Sequence, residues 1–87
     1  MYDILDYSYK QAKALGYVIK PSIKKNKKID VFRDGVRIAS IGDPKYSDFP
    51  HYILSHGQSY ANKRRELYHQ RHKKEGLTGT LAKKILW

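Results

Sequence analysis

The 87-residue chain contains no cysteine, which excludes disulfides and thiolate metal ligands and argues against a secreted, disulfide-stapled scaffold. No apolar run approaches the about 20 residues needed to cross a bilayer. The N-terminal stretch carries Asp3 and Asp6 in place of a basic start and an apolar core segment, so no secretory signal is expected. Neither a Gly-rich phosphate loop nor a nucleophile elbow is present. Acidic residues are few: eight Asp and Glu stand against eighteen Lys and Arg, for a net charge of +10.

A chain of this size is read as a single domain, residues 1–87, with residues 1–7 as a lead-in segment. A domain this small buries only about 60% of the surface its unfolded chain exposes, enough for one modest core. Its charge attracts polyanions: nucleic acid first, with an acidic protein neighbour or an anionic membrane surface also compatible with composition alone. Eight Tyr, two Phe and one Trp separate it from a disordered basic tail, which would carry few aromatics.

Ser8 and Gln11 have the spacing of a capping box, and Tyr9, Ala12 and Leu15 recur at helical intervals before Gly16. This spacing predicts a helix over 9–15. Tyr17-Val18-Ile19-Lys20 is a short β-type run halted by Pro21. The runs Lys28–Arg33 and Val36–Ile41 flank Asp34-Gly35, the preferred pair for a two-residue type I′ hairpin turn. Simple pairing from that turn sets Arg33 opposite Val36, Val31 opposite Ile38 and Ile29 opposite Ser40, giving one apolar face of Ile29, Val31, Val36 and Ile38. Pro50 suits a first helical turn, so residues 50–55 read as a short helix ending near Gly57. Residues 58–74 read as the longest helix, with Tyr60, Arg64, Leu67, Tyr68 and Arg71 on one side. A last turn or two capped by Thr80 directs Leu81, Ala82, Ile85 and Leu86 inward, and Trp87 is expected to plug into the core. The fold class is therefore α+β: a small antiparallel hairpin or three-stranded sheet packed against helices.

Two segments hold eleven of the eighteen cations, counting Lys20. The first is the loop Lys24-Lys25-Asn26-Lys27-Lys28. Lysine binds phosphate as a point charge, which suits backbone contact rather than base readout; the alternative is a solvated, merely solubilising loop. The second runs from Lys63 to Lys74, with six permanent cations and Glu66 as its one anion. An ordinary exposed helix mixes signs at i,i+4, whereas this one interleaves cations with Tyr68, His69 and His72, a combination able to stack on bases while holding phosphates. Arg65, His69, His72 and Lys73 are expected on the exposed side of the wheel. Arg64 and Arg71 could equally pair with Asp30, Asp43 or Asp48. The candidate nucleic-acid-binding set is Lys20, Lys24, Lys25, Lys27, Lys28, Arg64, Arg65, His69, Arg71, His72, Lys73 and Lys74.

Other chemistry is weakly represented. His69 and His72 with His51 and His56 do not make a convergent zinc set, because a structural site needs four N or S ligands. Asp30, Asp34, Glu66, His69 and His72 supply the residue types of a small metal-dependent nuclease without its spacing. Tyr68 with Arg71 and His72 is superficially similar to a tyrosine-recombinase strip, but the chain is too short for that fold. No cofactor and no catalytic residue is expected.

The order Ser8-Tyr9-Lys10, Ala12-Lys13, Leu15-Gly16; Ile19-Lys20-Pro21-Ser22; Lys27 to Phe32; Ile38 to Gly42; Tyr60-Ala61; Arg64-Arg65-x-Leu67-Tyr68-x-x-Arg71-His72-Lys73-Lys74; and Ile85-Leu86-Trp87 resembles a small basic domain encoded by large DNA viruses of algae and protists. The chain departs from that domain at Gly79-Thr80-Leu81, where the family pattern carries an aromatic-rich Gly-Tyr-Tyr stretch. The resemblance implies a viral origin and a place in the virion or the viral factory of an infected cell. The expectation is a non-enzymatic viral protein that binds nucleic acid, DNA ahead of RNA, through the phosphate backbone with little sequence specificity. A virion structural protein that cements its neighbours is the alternative, and a small nuclease the distant one.

Overall fold

The computed structural model describes residues 2–72 and 76–87. Four helices and three strands follow in the order α1 (Asp6–Ala14), β1 (Val18–Pro21), β2 (Ile29–Arg33), β3 (Val36–Ile41), α2 (Phe49–His56), α3 (Gln58–Arg71) and α4 (Leu77–Leu86). The strands form one antiparallel sheet in the order β1-β2-β3, so the architecture is α+β; the third strand expected over Tyr17–Lys20 starts at Val18 and runs on through Pro21, which pairs with Ile29 instead of halting it.

The hairpin turn follows from its two residues. Asp34 has φ 51° and Gly35 φ 79°, the left-handed pair a type I′ turn requires. Arg33 pairs with Val36 as expected, but the register then shifts. Phe32 faces Arg37, Val31 faces Ala39 and Ile29 faces Ile41, with a bulge beside Val31 and Phe32. The extra residue reverses the alternation of β3. Ile41 enters the core, Ile38 stays partly buried against it and Val36 is left 63% exposed, so the expected apolar face of Ile29, Val31, Val36 and Ile38 loses Val36 and gains Ile41. The gain is chemical as well as apolar. Ser40 now stands opposite Asp30, and its hydroxyl donates to the Asp30 carboxylate at 2.7 Å.

One sheet face, carrying Ile19, Ile29, Val31 and Ile41, is sealed by Ala12 of α1 and by Leu81, Ala82, Ile85 and Leu86 of α4. Helix α1 packs on β1 and α4, and α4 packs on β3. The expected capping box does not form. Helix α1 begins earlier, after an extended Leu5, which places Ser8 inside it and fully buried. The Ser8 hydroxyl donates to the Ile85 carbonyl at 2.9 Å, and the Gln11 amide donates to the Lys84 carbonyl at 3.0 Å. These are among the last carbonyls of α4, which have no intrahelical partner. The polar pair therefore fastens one helix to the end of another. Helix α4 likewise starts at Leu77, four residues before the first buried leucine, so Thr80 lies within it and does not cap it.

Helices α2 and α3 form a second pair, hinged at Gly57. Asp48 caps α2 by accepting from the His51 backbone N–H, with Pro50 in the first turn. The pair is attached to the rest by aromatic contacts. Phe49 meets Tyr7 edge-on at 5.3 Å, and Tyr68 lies flat on Trp87 with ring centroids 4.3 Å apart and planes 8° from parallel. Trp87 is half-buried and packs against the core without entering it.

Candidate nucleic-acid interface

The basic loop spans the gap between β1 and β2. Its base is closed by Ser22 N–H donating to the Lys28 carbonyl at 3.0 Å and Lys28 N–H to the Ile41 carbonyl at 3.0 Å, and its tip by Lys27 N–H donating to the Lys24 carbonyl at 3.3 Å. Lys24 and Lys25 are exposed and Lys27 is half-buried.

Lys28 leaves the set. Its ammonium lies 2.9 Å from an Asp48 carboxylate oxygen, with the two side chains only 5% and 1% exposed. A lysine in the middle of a basic run is turned inward because the buried Asp48 carboxylate needs a counter-charge. The same carboxylate accepts from the Tyr2 hydroxyl at 2.6 Å and lies 2.8 Å from His51 Nδ1. Burial alone would raise the Asp48 pKa, but the Tyr2 hydrogen bond, the Lys28 charge and hydrogen bond, and His51 outweigh it and hold the carboxyl below its ordinary value. Tyr2, Lys28, Asp48 and His51 offer the residue types of a proton-transfer site. Here they satisfy one another and cap a helix.

The sheet face opposite the core is open, with no described helix packed on it. Lys20 is exposed there and its ammonium sits 5.5 Å over the half-buried Phe32 ring. Arg37 pairs across from Phe32 and is also exposed. Asp30 is the anion of this face, yet it is buried and occupied. It accepts from Ser22 and Ser40 at 2.7 Å each, and Arg37 lies 3.9 Å away. Burial works against its ionisation, but the Ser40 and Ser22 hydroxyls, the Ile23 N–H and the Arg37 charge prevail and lower its pKa. The exposed long side chains of this face are thus Lys20 and Arg37, with an aromatic ring between them. Phe32 and Arg37 lie outside the set expected from sequence. Their placement is readable from the period-two alternation that sends Ile29 and Val31 inward.

The helix cations divide. Arg64 and Arg71, with Tyr46, Tyr52, Tyr68 and Trp87, line a cleft of about 430 Å³ between the β3–α2 loop, α3 and the end of α4. Arg64 sits 5.6 Å from the Tyr52 ring centre, and its Nε is sealed from solvent with no hydrogen-bond partner among the described residues. Among those residues neither Arg64 nor Arg71 forms an ion pair, so the pairing with Asp30, Asp43 or Asp48 is not realised. Arg65, expected to be free, is half-buried with its guanidinium 4.2 Å above the Phe49 ring. A helical wheel puts it on a solvent face because the position of α2 beside α3 is not encoded locally. His72 is also half-buried, stacked on Tyr68 at 4.2 Å. His69 is exposed. Lys73 and Lys74 lie outside the described residues.

The expected set therefore resolves into a loop-and-sheet group (Lys20, Lys24, Lys25, Lys27), a cleft group (Arg64, Arg71, His72) and residues apart from both (Arg65, His69). Among the described residues no three His, Cys, Asp or Glu converge as a metal site, and no helix is long and apolar enough to cross a membrane. Comparison with family models, curated proteins and solved structures finds no match to this chain.

Proposed function

We propose that the protein is a non-enzymatic nucleic-acid-binding domain that grips the phosphate backbone with little base preference. The observation that carries this reading is the sheet face turned away from the core, on which Lys20 stands exposed near the foot of the Lys24-Lys25-Lys27 loop and the half-buried Phe32 and exposed Arg37 follow toward the Asp34-Gly35 turn. Cations spaced along an extended surface hold phosphates, and an aromatic ring among them receives an unpaired base without reading its identity. The Asp30 carboxylate on that face is buried and held by the Ser22 and Ser40 hydroxyls, and Arg37, 3.9 Å from it, remains exposed. DNA is the proposed polymer.

The test is the salt dependence of binding. Five phosphate contacts from Lys20, Lys24, Lys25, Lys27 and Arg37 give a slope of log K against log salt of about −4.5 on duplex DNA. Replacing Lys24, Lys25 and Lys27 with Gln shallows it by about three units. A triple variant that binds as the parent does, with the parent's slope, rejects the loop.

A second reading, a virion structural protein, draws on a different feature. Leu5, Pro50, Ile53 and Leu54 line a shallow apolar groove beside α2, with Leu54 73% exposed. Binding that survives high salt and fails with DNA would favour it.

A further inference from the structure

The cleft beside α3 has a composition that backbone gripping does not use. Most of its ring-bearing wall is fixed. Tyr68 is held between His72 and Trp87, since both stack on it at 4.2 and 4.3 Å and two rings cannot share one face. Tyr52 sits 6.1 Å from Trp87 and carries the Arg64 guanidinium. Tyr46 is 68% exposed on the loop that forms the opposite lip. That loop can approach because Gly42 has no side chain: a Cβ there would come within 2.9 Å of Leu86 and of Lys28. The wall is therefore a packed set of rings on one side and an exposed tyrosine on the other.

The polar groups of the cleft are unequal in their satisfaction. The Lys28 ammonium is held by Asp48, and Asp43 accepts from the Lys45 N–H at 2.9 Å. Arg64 and Arg71 have no ionic partner among the described residues, and the buried Arg64 Nε makes no hydrogen bond there. Two guanidinium groups lining one cleft without an ionic partner among the described residues favour a planar or tetrahedral oxyanion. At about 430 Å³ the space is that of a small-molecule site.

We propose that this cleft holds one unpaired nucleotide, its base against the Trp87 and Tyr46 side and its phosphate on Arg64 and Arg71. Aromatic stacking and a guanidinium-bound phosphate must both be present, which separates a nucleotide from a bare anion or a bare aromatic ring. The same chemistry is offered by a free nucleoside monophosphate and by a splayed nucleotide within a single strand.

Trp87 is the one tryptophan of the chain, so its fluorescence reports the cleft directly. The parent protein, Arg71→Gln, Tyr46→Ala and the loop variant Lys24→Gln/Lys25→Gln/Lys27→Gln are titrated with AMP, UMP, a short oligo-dT and inorganic phosphate. Arg71 and Tyr46 are exposed, and melting curves establish that both variants are folded. A saturable change with AMP or UMP, weakened about tenfold in Arg71→Gln by the loss of a charged hydrogen bond and also weakened in Tyr46→Ala, supports the free nucleotide. A change with oligo-dT alone, weakened in the same two variants, supports the strand-borne one. A silent Trp87 with every nucleotide probe overturns the proposal, as does a response unaltered in Arg71→Gln or one that inorganic phosphate displaces as well as AMP does. Failure here is distinguishable from failure of backbone binding. In that case the parent retains its salt-dependent DNA affinity with no Trp87 response, whereas a failed loop leaves the AMP response in place without that affinity.

Discussion

The Lys28 ammonium and the Asp48 carboxylate meet at 2.9 Å across twenty residues of sequence, both shut away from water. The pair joins the start of β2 to the N-terminus of α2, and through the Tyr2 hydroxyl it also ties down the N-terminal segment. Its worth lies less in attraction than in the penalty for breaking it. Two buried charges that balance each other are near neutral in stability, while either one alone is an uncompensated buried ion. Lys28→Ala and Asp48→Ala are each expected to cost about 3–5 kcal/mol, a large part of the stability of so small a domain. Asp48→Ala should be the worse of the two because it also removes the α2 cap and the Tyr2 acceptor. Denaturant midpoints of the single variants check this; a wild-type midpoint for Lys28→Ala would show that the pair is not buried in solution.

The same network sets a pH profile. Asp48 and Asp30 both ionise more readily folded than unfolded, so the unfolded chain takes up protons first as the solution is acidified. Their contribution is complete above the ordinary carboxylate range of about 4 and is lost as pH falls below it. Tyr2 gives the opposite limb. Burial first, then its hydrogen bond to Asp48 and the charges of Asp48 and Asp3, raise its pKa. Stability is then lost once unfolded tyrosine begins to ionise, near pH 10. Melting temperatures should be flat at neutral pH, fall on both sides, and lose the part of the alkaline limb due to Tyr2 in Tyr2→Phe. An acid limb unchanged in Asp30→Asn would show that the serine hydroxyls do not hold that carboxylate.

Two glycines with similar backbone angles should differ in their response to substitution. Gly35 has φ 79° and open space around it, and Gly42 has φ 84° with Leu86 and Lys28 against it. At Gly35 a side chain meets only the left-handed backbone cost, about 1 kcal/mol or more for valine. At Gly42 even alanine adds a collision with a core leucine and with the stem of a lysine that its ion pair prevents from moving. Thermal melts of Gly35→Ala and Gly42→Ala should separate by several degrees, with Gly42→Ala the lower.

The contrast between these positions also explains what the sequence makes legible. The hairpin could be read because Asp34-Gly35 carries its own backbone chemistry, and α2 could be placed because Pro50 does the same. The bulge at Phe32 could not, since Val36-x-Ile38 and Ala39-x-Ile41 are two alternations in opposite phase. Only the core behind them decides which is buried. Ser8 and Gln11 have the spacing of a cap but bond to a helix more than seventy residues away. Lys28 looks like its neighbours in a basic run until Asp48 is brought beside it. Local signals set the elements, and the long-range partners of polar side chains decided which cations remain available to a ligand.

Phe32 offers the sharpest test of how the open sheet face is used. Its ring is half-buried beneath Lys20 and beside Arg37, and it points away from the core formed by Ile29 and Val31. Its removal should therefore leave the fold intact. Stacking of one base on an aromatic side chain contributes about 1–3 kcal/mol, so Phe32→Ala should weaken single-stranded DNA binding by roughly five- to 140-fold. Phosphate contacts are untouched, so the salt slope should stay at the parent's value. Duplex DNA, whose bases are paired and stacked, should lose little affinity. Lys20→Gln should do the reverse, removing about one unit of slope from both forms. Equal losses on single and double strands in Phe32→Ala would mean that the ring only positions Lys20, and that the face holds backbone alone.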